Sequence, residues 1–112
     1  MPKYLISFDD GWMDVPREDL PEVSRAAHAV VDEAKAAGAW VFGGGLVSQR
    51  ASVVGTDGTV TEGPFPETKA VLGGFSVIDA ASHEDALAWA AKIAAACRCN
   101  QEVRVIMDDP DV

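Results

Sequence analysis

The sequence is poor in basic residues. Nine Lys and Arg stand against eighteen Asp and Glu, which gives a formal net charge of -9. A surface with this excess repels phosphate backbones and anionic membrane surfaces. We therefore expect neither nucleic acid nor a membrane among the partners. The acidic side chains concentrate in segments 9–22 and 108–111, and both clusters are interpreted as solvated surface.

Cysteine is also scarce. Cys97 and Cys99 are the only two, and the single residue between them leaves a loop too short for a disulfide to restrict the unfolded chain much. We interpret both as reduced thiols. A zinc site needs about four ligands at recognisable spacings. A Cys-Arg-Cys step with two distant histidines does not supply them, so no metal is expected.

Long apolar runs, signal sequences and phosphate-binding loops are missing as well. No segment approaches the roughly 18 unbroken apolar residues of a membrane-spanning helix. The residues before Asp9 include too few apolar side chains for a secretory signal. The Gly-rich stretch 43–46 precedes no helix and lacks the spacing of a nucleotide-binding fingerprint. We therefore expect a soluble cytoplasmic protein that uses no cofactor.

What the sequence does contain is a regular succession of strand and helix patterns. Its 112 residues are one domain's length, and its 48% hydrophobic and 24% charged residues match globular usage. Alternating or continuous apolar runs predict strands at 3–8, 39–47, 73–80 and 102–107. Two helices are predicted between them, one from 23 to a stop at Gly38 and one from a cap at Ser82 to Cys97.

Further details of these elements follow from single residues. The three glycines of the second strand predict either a bulge or a close approach of two backbones. Turn residues at 56–58 between β-branched runs predict a hairpin within 51–63, followed by a loop over 63–70. The inner stripe of the second helix is expected to include Leu87 beside Ala86 and Ala90.

The order β-α-β, hairpin, β-α-β predicts an α+β fold. It fits a ferredoxin-like split βαβ, in which both helices cover one face of a mainly antiparallel sheet. The other face is expected to be half apolar, and a second copy of the chain would cover it, so we predict a homodimer. The residues predicted to line this second face are Leu5, Ser7, Ser76, Ile78, Arg104 and Ile106.

Several motifs carry a resemblance to a known family. The most specific is EGPFPETKAVLGGF at 62–75, and a second is RAAH at 25–28, followed by AAGAWVFGGGL. HEDALAWAAK and QEVRVIM complete the pattern in order. With these motifs the chain resembles the YCII-related family, the group named for an Asp-Gly-Pro-Phe (DGPF) motif, in which Glu62 here replaces the Asp. The resemblance covers nearly all of residues 1–112, which are expected to form a single domain.

The resemblance implies a ferredoxin-like monomer that pairs into a dimeric α/β barrel. It also implies a catalytic role for the helix histidine, in a cleft between the helices and the sheet. That histidine corresponds to His28. No motif places the acidic partner proposed for it in the family, and none is transferred.

The pattern of the first helix places further residues beside His28. On a helical wheel His28 lies about 140° from Val23, off the core centre, with Ser24 and Lys35 on the same flank. Asp32 follows at i+4, where a carboxylate could orient the imidazole. The position also suits a plain surface histidine. In the loop after the Gly-Pro-Phe step, Lys69 either borders the ligand cleft or caps the loop by pairing with its neighbours.

Two function classes remain open. The first is a small-molecule enzyme in which His28 acts as general acid/base in a lyase, isomerase or dehalogenase-like reaction, with no metal or redox cofactor. The second is a non-catalytic dimer that binds a ligand or a partner in the same cleft. Trp12 and Met13 are expected at the dimer contact, with a lid over the cleft or core packing as alternatives.

Overall fold

The computed structural model describes residues 1–47, 51–62 and 72–112. This part of the chain forms an α+β fold with two helices and antiparallel sheets. The helices are α1 (Leu20–Ala36) and α2 (His83–Cys97), preceded by single 3-10 turns at Asp10–Trp12 and Arg17–Asp19. The strands are β1 (Lys3–Asp9), β2 (Trp40–Gly45), β3 (Ser52–Val54), β4 (Val60–Glu62), β5 (Leu72–Asp79) and β6 (Glu102–Val105).

Four strands form the main sheet in the order β2-β5-β1-β6. Each neighbouring pair is antiparallel, and β1 lies in the middle between β5 and β6. Two β-α-β units, β1-α1-β2 and β5-α2-β6, are thus interleaved in one sheet. This arrangement is consistent with the predicted ferredoxin-like fold.

Helix α1 carries a narrow apolar stripe. Its first turn accommodates Pro21, since the early backbone N–H groups of a helix need no partner within it. Val23 and Ala34 are the fully buried residues, one near each end. The predicted stop at Gly38 is confirmed: its φ of 72° is left-handed, and its N–H donates to the Lys35 carbonyl.

Helix α2 begins at the predicted cap, where the Asp85 N–H donates to Ser82 Oγ at 3.1 Å. Its buried residues Ala86 and Ala90 pack on the sheet and form the core with Tyr4, Ile6, Ile78 and Ala80. The prediction for Leu87 is wrong, because this side chain is 45% exposed. It lies about 100° from Ala86 around the helix, at the edge of the stripe rather than inside it.

Strand β2 shows the close backbone approach predicted from its glycines, and it also has a bulge outside them. Its register against β5 shifts between Trp40 and Phe42, which places a bulge there. Farther along, a Cβ built on Gly43 would lie 2.6 Å from the Phe75 carbonyl oxygen. The bulge and the close approach therefore occur at different residues of the same strand.

Two of the residues predicted for the second face of the sheet belong to the other face. Ile78 is fully buried against the helices, and Ser76, two residues before it, points to the same side of the sheet. The reason is the register: Ile78 pairs with Tyr4, whereas Leu5 pairs with Val77. The face away from the helices is therefore lined by Leu5, Ser7, Phe42, Phe75, Val77 and Arg104.

The predicted hairpin is confirmed as β3 and β4, which form a two-stranded sheet of their own among the described residues. The Gly55 N–H donates to the Thr59 carbonyl at 2.8 Å, and Gly58 adopts a φ of 86° in the turn. The loop predicted for 63–70, with most of the Gly-Pro-Phe motif, lies outside the described residues. Neither α1 nor α2 has the length and apolar character needed to cross a membrane.

Candidate functional site

A cleft of about 590 Å³ lies between α1 and the helix-covered face of the sheet. One long wall is the flank of α1, the floor is formed by β2 and β5, and the far wall belongs to α2 and the segment after it. Its volume falls within the range of small-molecule sites. The apolar side chains that line it are Phe8, Met13, Leu20, Val23, Ala27, Val30, Val31, Trp40 and Ile93.

The α1 wall carries the polar groups of the cleft. Ser24, His28 and Lys35 all line it, and all three side chains are exposed at its rim. Their positions lie within about 40° of one another around the helix axis, which places them on a single flank. Since the core stripe of α1 faces the sheet, this flank borders the cleft without being buried in the core.

The floor of the cleft is open because β2 carries glycines there. Gly43, Gly44 and Gly45 line it with backbone only. Gly43 cannot carry a side chain without displacing the backbone of β5, as the close contact with Phe75 shows. Beside them the half-buried Trp40 packs against the core and supplies an aromatic wall.

The far wall brings a thiol and an amide to the cleft. Cys97, in the last turn of α2, and Gln101, just after it, both line the cavity. Burial raises the pKa of the Cys97 thiol, and the neighbouring Cys99 adds to the effect. Burial likewise raises the pKa of Cys99, although Gln101 Nε2 lies 3.4 Å from Cys99 Sγ and opposes the shift. Both groups are therefore neutral thiols near pH 7.

The loop between β1 and α1 closes one end of the cleft. Met13 is half-buried and lines the cavity, whereas Trp12 beside it is 40% exposed. The neighbours thus have different surroundings. Of the three roles considered for this pair, which were a dimer contact, a lid over the cleft and core packing, the position of Met13 matches the lid.

The structure brings together only some of the residues proposed from the sequence. Ser24 and His28 lie side by side on the cleft wall. Asp32 is exposed on the next turn and is not among the lining residues, and no hydrogen bond or salt bridge joins it to His28. Lys69 lies outside the described residues, so its relation to the cleft stays a prediction.

The electrostatics of the cleft differ from those of the whole molecule. Among the lining residues in the described ranges, Lys35 is the one fixed cation and no Asp or Glu is present. The nearby carboxylate of Glu33 forms a salt bridge with Lys92 outside the cleft. In a chain of net charge -9, the described lining of the cleft therefore carries one fixed positive charge and no negative one. Within the same ranges no group of three potential ligands is placed to hold a metal ion.

Sequence reasoning missed part of the site. Trp40, Cys97 and Gln101 come from segments that only the packing of α1, α2 and the sheet brings together, whereas a lid over the cleft was one of the roles considered for Met13. Trp40 had the clearest signal, because it follows the Gly38 stop of α1 and must start the return strand next to that helix. Cys97 and Gln101 carried no signal of their own.

Comparison with known proteins supports the family resemblance inferred from the motifs. No curated protein shows significant similarity to the chain. The family model for the YCII-related domain matches residues 12–108, which include α1, the cleft residues on β2 and β5, and all of α2. The chain therefore belongs to the YCII-related domain family.

Proposed function

We propose that the protein is a small-molecule enzyme that binds its substrate in the cleft beside α1 and moves a proton through His28. The observation that carries the proposal is the position of this imidazole at the rim of a preformed, mostly apolar cavity. Sites of this kind combine apolar walls with a few polar groups that orient the ligand. A histidine can give and take a proton near neutral pH without other equipment.

The reaction class follows from the groups that line the cleft. One proton-transferring group beside an apolar cavity suits lyase, isomerase or dehalogenase-like steps, in which a proton leaves or joins a carbon or oxygen of the substrate. Ser24, one turn before His28 on the same wall, could hydrogen-bond a polar group of the substrate. The reacting atom would then lie near the N-terminal half of α1.

A non-catalytic binding protein is the second candidate, and one observation favours it. Within the described part of the chain His28 has no hydrogen-bond partner, and a catalytic histidine is commonly held in place by a carboxylate or carbonyl. An exposed, unoriented imidazole serves a binding role as well as a catalytic one. Both candidates use the same cleft, so only turnover distinguishes them.

We further propose that two copies pair through the sheet faces that the helices leave uncovered, which gives a dimeric α/β barrel. The face contains Leu5 and Val77 at its centre and Phe42 beside Phe75, with 5.9 Å between the two ring centroids. Phe42 is 63% exposed in the single chain. Covering such a face removes apolar surface from water, which is the main driving force for association.

The test has two stages. A thermal-shift screen against cyclic lactones, phenols and small keto acids identifies ligands, since a compound that binds the folded state raises the melting temperature. Each ligand found is then incubated with wild-type protein, His28→Asn and His83→Asn, and its conversion is followed by NMR. His83 is the matched control, because it is exposed on α2 and does not line the cleft.

The outcomes separate the candidates. For an enzyme, His28→Asn abolishes conversion but still binds the ligand, while His83→Asn remains as active as the wild type. Binding without conversion by the wild-type protein identifies the non-catalytic role. Equal conversion by wild type and His28→Asn would contradict the proposed role of His28.

A further inference from the structure

We infer that the ligand of this cleft is a small carboxylate with an apolar, ring-sized body, and that Lys35 binds the carboxylate. The inference rests on the proposed function, because it names the class of molecule that the same cleft would take. It starts from a contrast in charge. The chain carries twice as many acidic as basic residues, yet the lining of the cleft within the described ranges contains Lys35 and no carboxylate.

The surrounding charges leave Lys35 available for a ligand. Lys3, Lys92, Arg98 and Arg104 each form a salt bridge with an acidic side chain of the protein. Among the described residues Lys35 forms none, although Asp32 lies three residues before it on the same helix. Its ammonium therefore has no internal counter-ion there, and an incoming anion would supply one.

The shape of the cleft specifies the rest of the ligand. Lys35 and His28 are seven residues apart, so their Cα atoms lie about 10 Å apart along the axis of α1. Side chains on a helix lean toward its N-terminus, which brings the Lys35 ammonium toward His28. A ligand between them is about the length of one ring with a short acid arm. Trp40 and the bare backbone of Gly43 and Gly44 supply the surface for its apolar body.

A carboxylate fits this cation better than a phosphate does. Phosphate sites in proteins commonly use the N–H groups at a helix N-terminus or several converging cations. Lys35 is instead in the last turn of α1, where the helix dipole is negative, and it is the single fixed cation of the described lining. This site therefore matches one negative charge rather than two.

The test uses three probes of nearly the same shape and different charge: phenylacetate, phenylacetamide and phenethylamine. Their dissociation constants are measured by NMR titration of backbone amides, on wild-type protein, Lys35→Gln and Arg25→Gln. Arg25 is the matched control, because it is an exposed cation on α1 that does not line the cleft, and its substitution changes the net charge equally. Ser24→Phe, at the exposed rim, reports whether the probes bind in the cleft.

Wild-type protein should bind phenylacetate about three- to tenfold more tightly than phenylacetamide, as one charge-assisted contact at a solvated position allows. Phenethylamine should bind least. Lys35→Gln should remove the preference, Arg25→Gln should keep it, and Ser24→Phe should weaken all binding. Raising the salt from about 0.02 M to about 0.5 M should reduce the preference in the wild type.

Other results would overturn the inference. A preference for the acid that survives Lys35→Gln, or an amide that binds the wild type as tightly as the acid, contradicts it. The second result would leave the small-molecule cleft intact, since neutral ligands would still bind there. The proposed function itself fails if no compound of any charge, from these probes or the screen, shifts the amides of the α1 flank.

Discussion

The guanidinium of Arg98 meets the carboxylate of Asp19 at 2.9 Å and joins the C-terminal end of α2 to the start of α1. Glu22 lies 3.7 Å from the other terminal nitrogen of Arg98. Leu20 and Gln101, which line the cleft, are close in sequence to the two members of this pair. The ion pair therefore connects the helix ends that border one end of the cavity.

Arg98 holds a backbone conformation that is costly for any residue with a Cβ. Its φ is 56°, in the left-handed region. There a residue with a Cβ carries a strain of about 1 kcal/mol, which glycine does not. Arg98→Ala keeps the strain and loses the exposed ion pair, so we expect a loss of about 0.5 kcal/mol in the free energy of unfolding. Arg98→Gly loses the same pair but relieves the strain, and should be about 1 kcal/mol more stable than the Ala variant. Urea unfolding compares the two, and a Gly variant less stable than the Ala variant would contradict this account.

Gly43 and Gly44 are adjacent glycines with opposite expected responses to a methyl group. A Cβ on Gly43 would lie 2.6 Å from the Phe75 carbonyl oxygen and 2.9 Å from Ser76 Cα, both backbone atoms that cannot move aside alone. Gly43→Ala should therefore lower the free energy of unfolding by about 2–3 kcal/mol. Among the residues that the structure describes, no atom lies within 4 Å of such a Cβ on Gly44, so Gly44→Ala should be neutral or slightly stabilising. Similar losses in the two variants would show that the close approach is not the cause.

The order of elements was predictable from local chemistry. Alternating or continuous apolar runs located the four strands of the main sheet, and the Ser82 cap and Gly38 stop located one end of each helix, because these signals depend on neighbouring residues alone. The facing of β5 was not predictable in this way. Alternation distinguishes two faces of a strand but does not say which one meets the helices, and the pairing of Ile78 with Tyr4 decided it.

The candidate site was likewise predictable within one helix and not across the fold. Ser24 and His28 were found together because a helical wheel relates residues within one helix. Met13 and Cys97 are 84 residues apart in the numbering of the chain and meet at the cleft only through packing of the whole domain. Sequence patterns without such long-range contacts describe one wall of a cavity and leave the opposite wall unknown.

The raised pKa of Cys97 predicts low reactivity at neutral pH. Because the thiolate is the nucleophile, iodoacetamide should modify the folded protein more slowly than an unstructured cysteine peptide, and unfolding in urea should remove the difference. The same shift makes stability depend on pH. Burial favours the neutral thiol, so the stabilisation is complete below the ordinary pKa of 9.0 and is lost as the pH rises through the higher pKa of the folded state.

Cys97→Ala tests this linkage through a slope. The free energy of unfolding of the wild type should fall more steeply above pH about 9 than that of the variant, whatever the variant costs at pH 7. Part of this decrease with pH should remain in Cys97→Ala, because burial also raises the pKa of Cys99. Parallel curves for the two proteins would contradict the assignment to Cys97.

Phe42 offers the sharpest test of the proposed dimer. Its ring is 63% exposed on the face of the sheet away from the helices and lies beside Phe75. If two such faces pack together, Phe42→Asp places a charge in an apolar interface without an available partner, and light scattering at micromolar concentration should report a monomer. Leu87→Asp is the matched control, since Leu87 is 45% exposed on α2 and lies outside this face. Wild type and Leu87→Asp should both be dimers. A monomeric wild type would exclude the proposed interface, because burial of this apolar face would then not drive association.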